Sequence, residues 1–424
     1  MTDFNSLIKK ILDSTDVQYK TLGELAIEPM FKGAGITRKE LSDSGIPCVR
    51  YADIYTTYGV WFDKPATFMS IESASSSKYA YKGDILFAIT GEKVEDIAKS
   101  TAYVGEEQIA VGGDIVVLRH DQDPKYLSYV LSTTMAQKQK SFGKVKSKVV
   151  HSCIPDISKI VVPIPSKDVQ HAIVEVLDAL SSYSGQLSLQ LDVRNIQLRY
   201  MRDTMLGVAS DDSGKTHFLC HHSSMLDKTD VTYVKVSELF NLRNGYTPSK
   251  SEPSFWTDGN IPWFVMDDIR QSGSVLADSS QHITDVAVKG DLFKANSIIL
   301  STSATIGYHA LITVPFLCNQ RFTCMTVKDA YKDKVNVKFL YHYMYVIDEW
   351  CKANTFQSSF QAVDMDSFKE LLIPLPSKEV QDTIADLFDS ATALIDNLAN
   401  EMSARDIQYQ YYRDLILSFG GVES

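Results

Sequence analysis

The sequence predicts an α+β fold built twice: two pseudo-repeated α+β domains joined by two long helices that form an antiparallel coiled coil. Three observations carry this expectation. The chain matches itself at an offset of 211 residues, so that VPIPSKDVQHAIVEVLDAL at 162–180 is answered by IPLPSKEVQDTIADLFDSA at 373–391. Behind each PSK the apolar residues step by four and three, the period of a helix with one apolar seam. Ahead of each PSK the apolar runs are short, β-rich and punctuated by turn residues. The expected partition is 1–160 for the first domain, 161–210 for a central helix, 211–372 for the second domain and 373–424 for a C-terminal helix. A chain of 424 residues is of ordinary length for two domains.

In the first domain, DILFAIT (84–90) and GDIVVLR (113–119) read as strands, with turns at Lys82-Gly83 and Gly112-Gly113, and a short helix follows at about 125–140. The segment KQKSFGKVKSKVV (138–150) sets Lys138, Lys140, Lys144, Lys146 and Lys148 around a glycine with no acid among them. Such a run suits phosphate contacts, which supply affinity without sequence information; a solvated surface run is the bland alternative. RYADIYTTYGVWF (50–62) gathers Arg50, Tyr51, Tyr55 and Tyr58, candidates for base and backbone contacts that could equally be core aromatics.

The central helix opens at PSK, where Ser166 is a good N-cap and Asp168 faces the positive end of the helix dipole. Val169, Ile173, Val176, Leu180, Tyr183 and Leu187 form its seam, and Gly185 is expected to make the supercoil irregular. About 41 residues at 1.5 Å rise give roughly 60 Å, the length of a spacer.

In the second domain, NSIILSTS (296–303) and RFTCMTV (321–327) read as strands, Asn244-Gly245 as a turn, and a helix is expected at 337–352. The loop NLRNGYTPSK offers Arg243, Asn244, Tyr246 and Lys250 for DNA contact. The stretch aligned with the lysine run, NTFQSSFQ (354–361), carries Gln357, Ser358 and Ser359, whose amide and hydroxyl groups can read base edges. The C-terminal helix repeats the pattern from Ser377 and Glu379, with Val380, Ile384, Leu387, Ala391, Leu394 and Leu398 in the seam. Polar positions repeat as well: Gln197, Arg202 and Asp203 recur as Gln408, Arg413 and Asp414, which suggests a docking surface shared by both helices. A plain dimerisation coiled coil is the competing reading.

Apolar residues make up 44% and charged residues 22%, so the chain can bury real cores. No stretch approaches 18 uncharged apolar residues, and MTDFNSLIKKILDST lacks a signal-peptide pattern, so a soluble, cytoplasmic protein with no membrane partner is expected. Six cysteines without a CxxC pair argue against a disulfide framework or a zinc site. The densest ligand cluster, His217, Cys220, His221 and His222, has no matching half, and no metal is expected there. Net charge is −11, but six of the excess negative charges lie in 373–424, so neutral domains can still carry basic patches.

Catalytic motifs are missing. ASDDSGKT (209–216) imitates a phosphate-binding loop but has Ala209 where the first glycine belongs, and it follows a helix instead of a strand. No two prolines are adjacent, which excludes the Asn/Asp-Pro-Pro-aromatic motif of amino-methyltransferases, and neither GxSxG nor HExxH occurs.

With PIPSKDVQ answered by PLPSKEVQ, and the helices ending in RDTML (202–206) and RDLIL (413–417), the chain resembles the specificity subunits of type I restriction-modification systems over essentially its whole length. The resemblance implies two target-recognition domains at opposite ends of antiparallel helices, each reading half of a split, asymmetric double-stranded DNA site. It further implies two modification subunits that methylate adenine at N6, and restriction subunits that translocate and cut DNA. S-adenosylmethionine, ATP and Mg belong to those partners, and this chain binds no cofactor. An internally duplicated enzyme of unfamiliar type and a nonspecific coiled-coil adaptor remain the alternatives.

Overall fold

The computed structural model describes residues 11, 16–145, 148–206, 208–210, 216–218, 231–357 and 361–419. The chain forms two compact units, one of Met1–Leu189 with Asn400–Ser424 and one of Gln190–Ala399. Each therefore holds one domain, the first part of the helix that follows it, and the last part of the other helix.

In the first unit a five-stranded sheet runs in the order Phe31–Lys32, Ile115–Leu118, Ile85–Ala88, Ser100–Tyr103, Trp61–Phe62, antiparallel except for the last pair. The second unit repeats it with Phe240–Asn244, Phe322–Val327, Ser297–Ser301, His309–Ile312 and Val275–Leu276, and again only the last pair is parallel. The central strands read as continuous apolar runs because both their faces are covered. Ile85, Phe87, Val116 and Leu118 pack on the helical side with Tyr126, Leu127 and Ile173. Leu86, Ala88, Ile115 and Val117 alternate to the other side, against Val49 and Ile54. Ile298 and Leu300 part from Ile299 in the same way in the second unit.

A second sheet lies beyond. Ile46–Val49 pairs antiparallel with Thr67–Met69 and parallel with Ile109–Val111; Ile261–Phe264 does the same with His282–Ile283 and Leu317–Cys318. Each unit is closed by a clasp between its beginning and its end: Gln18–Thr21 pairs with Val161–Ile164, and Thr232–Lys235 with Leu372–Leu375. Pro163 and Pro374 sit in these two-stranded ribbons, where a missing N–H costs little.

The helix expected at 125–140 is two helices, Pro124–Leu131 and Thr134–Ser141. Ser132 and Thr133 turn their hydroxyls back to the carbonyls of Tyr129 and Val130, and Thr133 caps the second helix through Ala136. Its counterpart has no such residues and runs unbroken over Val337–Ala353.

The long helices span Lys167–Leu206 and Lys378–Ser418. Ser377 caps the second through its side chain at 3.4 Å, and the first runs through Gly185 without interruption. In the first unit they lie antiparallel: Leu417 is buried with Val169 and Ile173, while farther along Ser184 donates to Asp406 at 2.6 Å. In the second unit Leu206 is buried with Ile384, and Asn195 faces the same cleft as Ile395. Among the described residues no helix is long and apolar enough to cross a membrane.

Candidate nucleic-acid interface

In the first unit the helix Tyr51–Thr56 begins where Arg50 gives its backbone N–H to Asp53 at 2.9 Å. The Arg50 guanidinium grips the same carboxylate, at 2.8 Å from NH2 and 3.3 Å from Nε, so the arginine expected to read bases is spent on fixing the helix. Tyr58 is a second correction. It stacks on Phe62 with centroids 3.9 Å apart, and its hydroxyl accepts from the Ala66 amide at 2.8 Å, which makes it core. Tyr51 is exposed, and Tyr55 donates to the Asp96 carbonyl at 3.3 Å, burial pushing its hydroxyl up to about 12. Both line a groove with Thr90, Gly91, Glu92, Lys93, Asp96 and Val149. The groove is formed because Val150–His151, at the end of the lysine run, pairs with Thr90–Gly91.

The five lysines divide. Lys138 and Lys148 are exposed. Lys144 is paired with Asp156, and Lys146 lies outside the described residues. Lys140 points inward and is 4% exposed, donating to Leu131 O at 2.8 Å and Ser100 Oγ at 3.1 Å, with burial lowering its amine to about 7. It cannot contact phosphate. Ala136 and Lys140, four apart, share the buried face of their helix, the one signal that could have separated Lys140 from its neighbours.

In the second unit Gly245 follows the edge strand Phe240–Asn244 and lies so close to Cys318 that a Cβ would sit 2.2 Å from its carbonyl oxygen; Gly33 meets Val111 identically. Only glycine fits either place. Arg243 is exposed but anchored, its guanidinium 4.1 Å over the Phe293 ring and donating to Asp291 O at 2.6 Å. Asn244 is exposed and accepts from Thr323 at 2.9 Å. The Tyr246 hydroxyl is engaged by Ala287 O and Lys289 N, and Lys250 is exposed. The segment aligned with the lysine run is a hairpin, Thr355–Gln357 with Gln361–Val363, joined to the sheet by Val363 N–H to Thr302 O at 2.9 Å. The side chain of Gln357, and Ser358 and Ser359 entirely, fall outside the described residues, as do the side chains of His217, Cys220, His221 and His222.

The helices carry features that sequence reasoning missed. Gln170 and Gln381, the last residue of each PSKxVQ, are wholly buried. Gln170 donates to Pro165 O at 2.9 Å and accepts from the Asp123 amide at 3.1 Å; Gln381 donates to Pro376 O at 2.8 Å and accepts from the Asn336 amide at 2.9 Å. Two turns on, Asp178 accepts from Trp61 at 3.0 Å, Tyr129 at 2.6 Å and Lys125 at 2.7 Å, while Asp389 accepts from Lys338 at 2.6 Å and His342 at 2.8 Å. Each helix is thus pinned to the domain that precedes it.

The seam differs from the expectation at Tyr183, which is 44% exposed, and through most of its second half. Val169, Ile173, Val176, Leu187 and Ile384 are buried, Val380 is partly buried, and Leu180 packs on its cluster, but Leu387 and Leu394 are 42% and 47% exposed and Leu398 is half-buried. Ala385 and Phe388 go inward instead. The helix lies on a domain, and a wide face at period 3.6 replaces the narrow seam at 3.5.

The repeated polar positions also sort by contact. Arg202 lies 3.4 Å over the Tyr345 ring, and the neighbouring Asp203 is partly desolvated, which raises its carboxyl. Arg413 pairs with Asp414 at 2.7 Å, and Asp414 accepts from Thr134 Oγ1 at 2.6 Å. Arg202 and Asp414 hold the helix ends to their own units, while Arg413 supports Asp414 from the same helix. Gln197 and Gln408 are exposed, each accepting from an arginine three residues earlier, Arg194 and Arg405. Beside them Ile196 and Tyr200 are 65% and 71% exposed, and Ile407 and Tyr411 70% and 62%, so an identical amphipathic row stands open on both helices.

Residues 15–191 and 228–404 each match the family described as Type I restriction modification DNA specificity domain. The chain is 50% identical over 213 residues to the type I restriction enzyme EcoprrI specificity subunit of Escherichia coli, a match spanning 47% of this chain and 53% of that one. With the EcoR124I/EcoR124II specificity subunit of Escherichia coli it shares 26% identity over 440 residues, covering 98% and 97%. In fold it is similar to the type I restriction-modification S subunit of M. genitalium, with a TM-score of 0.52 at 14% identity, over 96% of both chains. A chain solved for the complex assembly of the type I R-M system gives 0.59 at 14% identity, over 96% of this chain and 99% of that one.

Proposed function

Because the chain belongs to the family of type I restriction-modification specificity subunits, we propose that it is the non-catalytic component that reads a bipartite, asymmetric DNA site, one half-site to each unit. The observation that carries the reading is the duplication itself: two units of the same strand order, each with the same face built from a short helix, the segment leaving the central strand and the stretch after the helix or helix pair that packs on the sheet. Tyr51, Lys138, Lys148, Asn244 and Lys250 remain as outward groups for phosphate and base contact. Their divergence between units suits two different half-sites.

Two modification subunits dock on the helices, and the open rows Ile196, Gln197, Tyr200 and Ile407, Gln408, Tyr411 are the surfaces assigned to them. Identical rows suit two copies of one partner. S-adenosylmethionine, ATP and Mg belong to the partner subunits in this reading, which places adenine-N6 methylation, translocation and cleavage outside the chain. Methylome sequencing of a host expressing the chain with its modification subunit is the test. A two-part motif with modified adenine in both parts is expected; scattered methylation, or a single contiguous motif, overturns the reading.

A further inference from the structure

Phe142 and Phe356 hold corresponding places in the two units, and both stand open. Phe142 is 86% exposed at the turn after Thr134–Ser141, followed by Gly143 at φ +67° and by Val145, itself 83% exposed. Phe356 is 61% exposed in Thr355–Gln357, directly after the helix Val337–Ala353. Among the described residues these are the two exposed phenylalanines. Each lies between the domain's last sheet-packing helix and the short strand that returns to the segment leaving the buried central strand.

The surroundings of the two rings indicate what covers them. No carboxylate occurs in 138–150 or in 354–363. Lys138 and Lys148 stand exposed on either side of Phe142 in sequence. The groove holding Tyr51 and Tyr55 reaches Val149 and carries Lys93 together with Glu92 and Asp96, so the positive charge beside the ring comes from the lysine run and not from the groove. Lysines flanking Phe142 in sequence, and amide and hydroxyl residues flanking Phe356, suit a polyanion with stacked π faces better than an apolar protein surface. Neither ring is needed by its own core, so the same residue type at the same open place in two otherwise divergent faces calls for a shared task.

We infer that Phe142 and Phe356 are base-stacking wedges, each inserted at a base step of the half-site its unit holds and opening the stack there. The inference rests on the half-site reading above and names the residue that deforms each half.

The test uses the full chain with its modification subunit and duplexes carrying 2-aminopurine at successive positions of each half-site, excluding the methylated base. The unaltered complex is expected to raise fluorescence at one step in each half. Phe142→Ala should abolish the rise in one half only and Phe356→Ala in the other, each weakening binding about tenfold, whereas Phe142→Trp should keep both. Both rings are exposed, so melting temperature should not change. Retention of both signals in the alanine variants, or no rise with the unaltered complex despite selective binding, overturns the wedge alone. Loss of the modification subunit from Phe142→Ala on size-exclusion chromatography overturns it too, since the ring would then be a protein contact. An unaltered complex that binds random duplex as well as its bipartite site overturns the half-site reading and the wedge together.

Discussion

The Asp123 amide donates to Gln170 Oε1 across 3.1 Å, tying the start of the helix Pro124–Leu131 to the first turn of the central helix. Gln381 does the same for Asn336 in the second unit. Both side chains also satisfy the carbonyl of a proline, and Gln381 that of Lys334 at 3.0 Å as well, so Gln170 closes two backbone groups and Gln381 three, in largely buried surroundings. Removing a buried partner leaves those groups unsatisfied, at about 1–3 kcal/mol each. Gln170→Ala and Gln381→Ala are each expected to lose that much stability in denaturant unfolding. A loss under 0.5 kcal/mol would show that the glutamines are not latches.

A second expectation concerns acid. Burial lowers His342 to about 4 despite the Asp389 carboxylate, and burial lowers His120 to about 4 despite Asp121 and Asp123. Both are neutral when folded, and the unfolded chain binds the protons more readily. Stability is therefore full above about pH 6.5 and falls as pH drops toward 4, by up to about 3 kcal/mol per histidine. Unfolding measured from pH 7 to 4 should show this slope, and His342→Gln should flatten it even if its absolute stability is lower. An equal slope in the variant would remove His342 as the cause.

Lysines of one run should behave oppositely in salt titrations of DNA binding by the complex. Lys138→Ala and Lys148→Ala are each expected to reduce the slope of log K against log salt by about one. Lys140→Met should leave the slope alone. Its buried amine, lowered to about 7, penalises the folded state more and more as pH falls from 10.5 to 7, so the unaltered chain should lose stability over that range while the methionine variant, whatever its absolute stability, should not show this slope. A reduced salt slope in Lys140→Met would contradict the buried position.

These contrasts show where the fold was readable. Ile85–Ala88 and Ile298–Leu300, the core of Ser297–Ser301, announced themselves because the central residues of strands covered on both faces must be apolar. Both PSK starts were legible because capping is local chemistry. Tyr58 and Lys140 were misjudged because their partners, the Ala66 amide and the Leu131 carbonyl, are chosen by tertiary packing and leave no pattern in composition. The repeat also showed that Arg202 and Asp414 had counterparts without showing what they touch. A polar residue repeated for docking inside each unit looks, in sequence, like one repeated for an outside partner.

The helices supply the last expectation. Asp178 and Asp389 fix each helix to the domain before it, and Arg202 and Asp414 are held within their own units. If the chain reads a split site as proposed, helix length between these anchors is expected to set the gap. Inserting four residues after Leu189 and four after Ala399 adds about one turn, roughly 6 Å, to each helix without touching an anchor. The tolerated spacing between half-sites, read by methylome sequencing, should lengthen by one or two base pairs at about 3.4 Å each, while both half-site sequences stay the same. Unchanged spacing would show that helix length does not set the gap. Altered half-sites would show that the helices take part in reading bases.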